Sequence, residues 1–185
     1  MKLIAIRHLM TPWNKRLELQ GARDISIISP PDEDAQALVR TQKIFLKNIN
    51  FDSVYVSPLK RTQETAQYYG YSDFVVDPCL QELNFGKYEG KSKSHIIEDY
   101  GRQWVEAPCE IVLGEPMLAL QQRVVDFVLK QDDASTILVF GHGNWIRALM
   151  SLVEVGNVNN MNKIHLENSQ LITLDIFVEK FMKNF

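Results

Sequence analysis

Short apolar runs alternate with longer helix-like segments along this chain, and this alternation constrains the fold more than any other feature. The runs have the length of single strands and lie at residues 3–6, 53–56, 74–76, 136–140 and 171–178. Strands that alternate with helices predict an α/β protein whose sheet is largely parallel and covered on both faces. Ligands of such sheets bind beyond the carboxyl ends of the strands, so candidate functional residues are expected there.

The segments between the predicted strands carry helix signals. The first helix is predicted over 29–49, with Pro30 and Pro31 at its start, where a missing backbone N–H costs little. A second helix, 59–69, ends at Gly70. Further helices are expected at 92–104, 116–130 and 145–153, and the sequence from Glu179 onward is expected to be a polar tail that frays.

The composition fits a single domain that covers residues 1–185. A net charge of −3 does not favour nucleic acid or a membrane surface as a partner, since binding to phosphate backbones normally needs a basic excess. No apolar stretch approaches a membrane span, and the first apolar run is too short for the core of a signal peptide. Cys79 and Cys109 are expected to be free thiols, which places the protein in a reducing cytoplasm.

Unusual residues follow three of the predicted strands. Arg7 and His8 follow the first, a segment that contains Arg61 follows the second, and His142 lies between two glycines after the fourth. In a parallel sheet these groups converge on one edge. Guanidinium groups match phosphate oxygens in a two-pronged way, and the helix N-termini after Arg61 and His142, with Gly143, add backbone N–H donors. The cluster therefore predicts a phosphate pocket that needs no metal and no other cofactor.

The residue types in this cluster indicate covalent phosphoryl transfer. A neutral imidazole is a good nucleophile near neutral pH, so His8 is the candidate that takes the phosphoryl group. Arg7, Arg61 and His142 are the candidates that neutralise its oxygens. Glu82, in the loop after the third strand, is the candidate that protonates the leaving oxygen.

Each of these residues also has a plainer explanation. A lone His at a strand end is more often structural, an Arg in a helix is more often a surface cation, and a loop acid is usually solvated. If Glu82 is not the proton donor, Glu89, Asp24 or a water molecule are the next candidates. His95 and His165 lie at no comparable junction, and no His or Cys spacing indicates a metal site. Only the joint occurrence of the residues at successive strand ends supports a phosphate pocket.

Six sequence blocks, in order, resemble the histidine phosphatase superfamily, the group that includes cofactor-dependent phosphoglycerate mutase. They are IRHLMTPWN, LQGARDISI, VYVSPLKRTQETA, LQELNFGKYEG, VFGHGNWIRAL and LENSQLITL. The resemblance implies a three-layer α/β/α sandwich of the phosphoglycerate mutase type, with one strand running against the others. It also implies a set of site residues, namely Arg7, His8, Arg61 and His142 as the phosphate pocket, Glu82 as the acid and Asn14 in support.

Two positions in the first block depart from the family pattern. Leu9 stands where the family usually has Gly, and Met10 stands where it usually has Glu or Gln. Because Gly allows close approach of the backbone to a ligand, Leu9 is expected either to narrow that approach or to turn outward. Met10 removes a polar contact near the substrate and makes that wall of the site more apolar.

These observations favour a phosphatase that hydrolyses a small phosphorylated metabolite through a phosphohistidine on His8. Two alternatives stay open: a mutase that returns the phosphoryl group to a bound substrate, and a phosphate-binding relative with weak or no catalysis. The stretch between Glu82 and His142 is short for a mutase, and its basic residues are offset by acidic ones. The sequence does not specify the substrate, and it is compatible with a homodimer.

Overall fold

A computed structural model describes residues 1–182, and a mixed five-stranded sheet lies at its centre. The strands are, in chain order, β1 (Lys2–Arg7), β2 (Ser53–Val56), β3 (Val75–Val76), β4 (Thr136–Gly141) and β5 (Leu171–Asp175). Their order in the sheet is β3-β2-β4-β1-β5, and β5 is antiparallel to β1 while the other neighbours are parallel. The predicted sheet, mostly parallel with one antiparallel strand, is confirmed.

Helices connect the strands. They are α1 (Pro12–Lys15), α2 (Glu33–Leu46), α3 (Lys60–Tyr69), α4 (Ser94–Tyr100), α5 (Gln103–Glu106), α6 (Met117–Leu129), α7 (Gly143–Val155) and α8 (Val178–Met182). Short 3-10 segments lie at Pro78–Leu80, Gly86–Tyr88, Pro108–Glu110 and Val158–Lys163. None of the helices within residues 1–182 combines the length and the apolar character that crossing a lipid bilayer requires.

Each face of the sheet has its own apolar core, because successive residues of a strand point to opposite faces. Leu3 and Ala5 of β1 pack in a cluster with residues of α6 and α7, whereas Ile4 and Ile6 pack in a second cluster with residues of α2 and α3. All four side chains are fully buried, as expected for a strand covered on both sides. The protein is therefore the predicted three-layer α/β/α sandwich.

Two predicted helices differ from the observed ones by more than two residues at an end. The prolines at 30 and 31 precede α2, because Asp32 is the N-cap: its side chain accepts a hydrogen bond from the backbone N–H of Ala35 at 2.8 Å. The helix predicted over 92–104 is divided into α4 and α5. Gly101 ends α4 with a φ of 53°, a backbone conformation that glycine adopts readily.

The prediction for the C-terminal segment is wrong in part. The last strand ends at Asp175, and Val178 begins α8 instead of ending that strand. Phe181, in the segment that the sequence predicts to fray, is buried in the same apolar cluster as residues of α6 and α7. Burial of this aromatic ring explains why the helix packs onto the domain. The rest of the predicted tail, 183–185, lies outside the described residues.

Candidate active site

The register of the sheet brings the three unusual strand ends to one edge. Arg7 at the end of β1 is paired with Gly141 at the end of β4, and Val56 at the end of β2 is paired with β4 one residue earlier. The residues that follow these strands therefore meet. The imidazole rings of His8 and His142 lie edge to face, with their centres 5.5 Å apart.

His8 is held as a neutral imidazole with one nitrogen free. It is 2% exposed, and its Nδ1 lies 2.7 Å from the carbonyl oxygen of Leu9. Because a carbonyl only accepts, Nδ1 carries the proton and Nε2 keeps its lone pair. Burial, followed by the charges of Arg61 and Arg7, holds the pKa of His8 well below its usual value. The ring is therefore unprotonated at Nε2 near neutral pH, as nucleophilic attack requires.

His142, in contrast, presents an N–H group. Its Nδ1 accepts a hydrogen bond from Nε of Arg61 at 3.2 Å, since guanidinium nitrogens only donate. The proton of the neutral ring is then on Nε2, which is buried and has no hydrogen-bond partner within residues 1–182. Burial, then the charge of Arg61 and the proximity of His8, lowers the pKa of His142 well below its usual value. His142 thus offers a neutral donor beside His8.

Arg61 is fixed by backbone carbonyls and remains charged. It is 1% exposed, and it donates from Nη1 to the carbonyl oxygen of Arg23 at 2.6 Å and from Nη2 to that of Gly21 at 2.8 Å. Burial lowers the pKa of Arg61 to about 10, so the guanidinium is still protonated at neutral pH. Neutral carbonyls hold the group in place without cancelling its charge, which leaves that charge for a bound anion.

Arg7 lies against the first turn of α7. Its Nη1 donates to the carbonyl oxygen of Leu166 at 2.6 Å, whereas its buried Nε has no hydrogen-bond partner in the described part of the chain. Burial lowers the pKa of Arg7 to about 10, which also leaves it charged. A Cβ at Gly143 would lie 3.2 Å from Nε of Arg7, closer than side chains normally approach. The glycine after His142 therefore leaves the room that the guanidinium occupies.

Glu82 is buried at the start of α7 and is not a solvated loop acid. Its Oε1 accepts the backbone N–H groups of Leu83 at 2.9 Å and Trp145 at 3.3 Å. Its Oε2 accepts the backbone and side-chain N–H groups of Asn144 at 3.1 and 3.2 Å. All four partners are donors, which matches an ionised carboxylate at a helix N-terminus. Glu82 thus caps α7, and it must gain a proton before it can give one away.

Asn14 lies in a hydrogen-bond network next to His8. Its Oδ1 accepts the backbone N–H of Thr11 at 3.1 Å and Nδ2 of Asn168 at 3.2 Å. Nδ2 of Asn168 also lies 3.0 Å from the backbone carbonyl oxygen of His8. Asn14 and Arg7 both line an open groove of about 860 Å³. The network joins the loop after β1 to the loop before β5, and Asn168 is a member that the sequence reasoning did not identify.

Both expectations for Leu9 are wrong. Its side chain is fully buried in the apolar cluster on the α2 and α3 side of the sheet. Its backbone N–H donates to the hydroxyl of Thr65 at 3.0 Å. Leu9 therefore neither narrows the pocket nor turns outward, because burial of an apolar side chain outweighs both. Met10 is 38% exposed and lines the 860 Å³ groove.

The two alternative acids are engaged elsewhere. Glu89 forms an ion pair with Arg23 at 2.8 Å and accepts the backbone N–H of Ala22 at 2.9 Å. Asp24 accepts the backbone N–H of Lys60 at 2.8 Å. Neither acid lines the groove or the smaller cavity found at this edge of the sheet within residues 1–182. Both acids stabilise the loop that contains Gly21 and Arg23, whose carbonyl oxygens bind the guanidinium of Arg61.

Two cations of the site, Arg147 and Lys93, escaped the sequence reasoning. Both line a cavity of about 170 Å³ together with Arg7 and Glu82. Arg147 lies four residues after Gly143 in α7, so helix periodicity places it on the same side as the pocket. That spacing was the available signal for Arg147. No comparable signal marks Lys93, which directly precedes α4.

The other two histidines lie apart from the buried pair. His95 is exposed and is hydrogen-bonded to Ser92, and His165 is exposed at the groove, 3.4 Å from a carboxylate oxygen of Glu167. No group of three or more His, Cys, Asp or Glu side chains in residues 1–182 is arranged to hold a metal ion.

Known proteins are similar to this chain in both sequence and fold. The chain is 28% identical over 171 residues to a 2,3-bisphosphoglycerate-dependent phosphoglycerate mutase of Bartonella tribocorum, covering 82% of this chain and 81% of the relative. It is 29% identical over 161 residues to the 2-carboxy-D-arabinitol-1-phosphatase of Triticum aestivum, covering 81% of this chain and 32% of the relative. The crystal structure of a phosphoserine phosphatase from Entamoeba histolytica, in complex with 3-phosphoglyceric acid, superposes with a TM-score of 0.77 at 26% identity, covering 93% and 89% of the two chains. The family model of branch 1 matches residues 3–183, and the chain therefore belongs to the histidine phosphatase superfamily.

Proposed function

We propose that this protein is a phosphatase that hydrolyses a small phosphomonoester through a phosphohistidine on His8. One observation carries the proposal: two buried N–H groups, Arg7 Nε and His142 Nε2, lack hydrogen-bond partners within residues 1–182 beside a neutral His8. Buried donors without partners are costly, and an anion that accepts both removes the cost. A phosphoryl group supplies such oxygens and places its phosphorus next to Nε2 of His8.

In the first step Nε2 of His8 attacks phosphorus, a P–N bond forms and the ester P–O bond breaks. Arg7, Arg61 and the N–H of His142 hold the phosphoryl oxygens, over which negative charge spreads in the transition state. The proton on Nδ1 of His8 stays on that nitrogen, hydrogen-bonded to the carbonyl oxygen of Leu9. That acceptor stabilises the positive charge of the phosphorylated ring.

The leaving oxygen needs a proton, and Glu82 is the acid that lines the cavity beside Arg7. Its four N–H partners match the ionised form, so the proton comes with the substrate, whose phosphate monoanion loses its last proton at about pH 6. Glu82 passes this proton to the leaving oxygen. In the second step it takes a proton from the water that attacks phosphorus. The P–N bond breaks, Glu82 returns this proton to the departing orthophosphate, and both Glu82 and His8 regain their starting protonation states.

The relatives support phosphoryl transfer and differ in the acceptor of the phosphoryl group. The wheat and Entamoeba proteins are named as phosphatases, and the Bartonella protein is named as a mutase. We favour water as the acceptor in this chain because the 860 Å³ groove beside Arg7 is open to solvent. A mutase must keep water away from the phosphohistidine, and an open groove does not serve that purpose.

The first test measures hydrolysis of p-nitrophenyl phosphate in the presence of EDTA, together with acid-labile phosphate on the quenched protein. We expect turnover in chelator and a labile phosphate on the wild-type protein, and neither with His8→Ala. His95→Ala is the matched control, because it removes an exposed imidazole away from the pocket and should keep full activity. Undiminished activity of His8→Ala would show that another group is the nucleophile.

A second assay separates hydrolysis from mutase transfer. The protein is incubated with 3-phosphoglycerate, and inorganic phosphate and 2-phosphoglycerate are both quantified. Release of phosphate without the positional isomer supports the phosphatase. Formation of the isomer without release of phosphate would replace the proposal with a mutase.

A further inference from the structure

A second concentration of positive charge lies beside the phosphate pocket. The cavity of about 170 Å³ is lined by Arg7, Lys93 and Arg147, with Glu82 as the acid in its wall. None of the three cations forms an ion pair with a carboxylate in the described part of the chain. Arg147 and Lys93 take no part in the proposed phosphoryl transfer, so their charges are left for another part of the substrate.

Glu82 does not form an ion pair with any of these three cations. Its two oxygens accept four N–H groups, from its own segment and from the first turn of α7. The charge of Arg147 also acts on Lys93: burial and then this charge lower the pKa of Lys93, while burial lowers the pKa of Arg147 and the charge of Glu82 opposes that shift. Like charges in a partly buried wall are costly unless an anion binds between them.

Arg147 is oriented by the helix that carries it. Its Nε donates to the carbonyl oxygen of Gly143 at 3.2 Å, and its Nη2 donates to the side-chain oxygen of Asn144. Its Nη1 has no hydrogen-bond partner within residues 1–182. The ammonium of Lys93 lies 5.9 Å from the centre of the Trp104 ring, which is part of the same cavity wall. Both cations are thus placed at the cavity, and both have donors to spare.

We propose that Arg147, assisted by Lys93, binds a carboxylate of the substrate and so selects phosphomonoesters of small organic acids. The proposal rests on the proposed function, because the phosphoryl group must occupy the pocket beside His8 while the carboxylate occupies the cavity. A guanidinium and a carboxylate match in shape and form two parallel hydrogen bonds.

The size of the cavity limits the acid to a few carbon atoms. A cavity of roughly 150 Å³ holds a ligand of benzene size, so 170 Å³ admits a group of about six heavy atoms. Apolar side chains form part of the remaining wall: Leu19, Phe85 and Leu166. A short carboxylic acid that carries the phosphate two or three carbons away fits this arrangement.

Binding to a protein that cannot turn over its ligand tests the proposal directly. In a His8→Ala background, isothermal titration calorimetry compares 3-phosphoglycerate with glycerol 3-phosphate, which has a hydroxymethyl group in place of the carboxylate. We expect 3-phosphoglycerate to bind about tenfold or more tightly, the effect of one charge-assisted hydrogen bond. Arg147→Met should remove most of this preference, Lys93→Met should remove part of it, and Arg147→Lys should retain part of it.

Lys91→Met is the matched control, because Lys91 carries the same charge two residues from Lys93 and does not line the cavity. The ratio of the two dissociation constants should not change in this variant. An equal fall of this ratio in Lys91→Met and Arg147→Met would show that the preference comes from the overall positive charge and not from a carboxylate site, which would overturn the proposal. Equal binding of the two ligands to the His8→Ala protein would also overturn it. Lys93→Met changes an exposed residue, so it still reports on the site if Arg147→Met does not fold.

The outcome is separable from that of the proposed function. Failure of the wild-type protein to hydrolyse p-nitrophenyl phosphate, together with a carboxylate preference lost in Arg147→Met, would refute the phosphatase and keep the carboxylate site. Turnover of p-nitrophenyl phosphate without any carboxylate preference would keep the phosphatase and refute the carboxylate site. Absence of binding by both ligands would refute the phosphate pocket and the carboxylate site together.

Discussion

Replacing Glu82 by glutamine changes two proposed tasks of one side chain. The carboxylate caps the N-terminus of α7, and it is proposed to protonate the leaving oxygen. Glutamine keeps the length of the side chain and one accepting oxygen. Its NH₂ group, however, meets either the two N–H groups that bond Oε1 or the two that bond Oε2. The variant therefore loses accepting capacity in the cap, and it loses the ability to carry a transferable proton.

The structural part of this loss is measurable as stability. Two hydrogen bonds to a charged oxygen are lost, each worth about 1.5–3 kcal/mol before the neighbours relax. Rotation of the Asn144 amide recovers some of this, so we expect a net loss of about 2–4 kcal/mol. For a domain of 185 residues that corresponds to a fall of roughly 4–16 °C in Tm.

The chemical part depends on the leaving group. General acid catalysis commonly contributes ~10² to 10⁴ in rate when the leaving oxygen is a strongly basic alkoxide. The p-nitrophenolate ion is stable without a proton, so Glu82→Gln should cost much less with p-nitrophenyl phosphate. Disturbance of α7 affects both substrates alike, because they share the phosphoryl group. The ratio of the two losses within the variant therefore isolates proton donation from capping.

The assay measures kcat/KM of wild type and Glu82→Gln with one alkyl phosphate and with p-nitrophenyl phosphate. Arg61→Ala is the comparison, since Arg61 is proposed to hold oxygens that both substrates share. It should slow the two reactions by similar factors. Equal losses of Glu82→Gln on the two substrates, alongside the expected fall in Tm, would show that Glu82 is a cap and not the acid. A water molecule would then be the better candidate for the proton donor.

Two further predictions follow from the buried groups around Gly143 and the histidines. Gly143→Ala should lower kcat/KM for p-nitrophenyl phosphate by about tenfold, because its Cβ would lie 3.2 Å from Nε of Arg7. Gly141→Ala should have a smaller effect, because the nearest contacts of its Cβ would be at 3.6 Å. Similar losses in the two variants would contradict this steric explanation. The unfolding midpoint should fall as pH drops below 6.5, because the unfolded chain protonates His8 and His142 while the folded protein resists it, and thermal unfolding of His142→Asn should show a shallower fall. An unchanged slope in that variant would assign the pH dependence to other groups.

The convergence of His8, Arg61 and His142 was predictable because it depends on the sheet as a whole. Apolar runs of four to six residues identify buried strands, and parallel strands necessarily end at one edge. This convergence does not depend on any individual hydrogen bond. The sequence also predicted the helix α3 and its end at Gly70, which adopts a left-handed conformation in the structure.

The surroundings of each residue were not predictable in the same way. Leu9 turns into the core because α2 and α3 bury that face, which depends on contacts distant in the sequence. Glu82 is a cap of α7 although 61 residues separate it from the start of that helix at Gly143. Local patterns carry no information on such a contact. They describe Glu82 only as an acid in a loop, which is why solvation was the plainer expectation.

The first turn of α7 couples reactivity to the proposed specificity. Asn144 donates its backbone and side-chain N–H groups to Glu82, and the same side chain accepts a hydrogen bond from Arg147. A change at Arg147 therefore frees the Asn144 amide to rotate and alters the environment of the proposed acid as well as the carboxylate site. Lys93 lies just before α4 and forms no hydrogen bond with that turn within residues 1–182, although it lines the same cavity. Substitutions at Lys93 should therefore shift the substrate preference and leave the rate of the chemical step nearly unchanged. Substitutions at Arg147 should change both the preference and this rate.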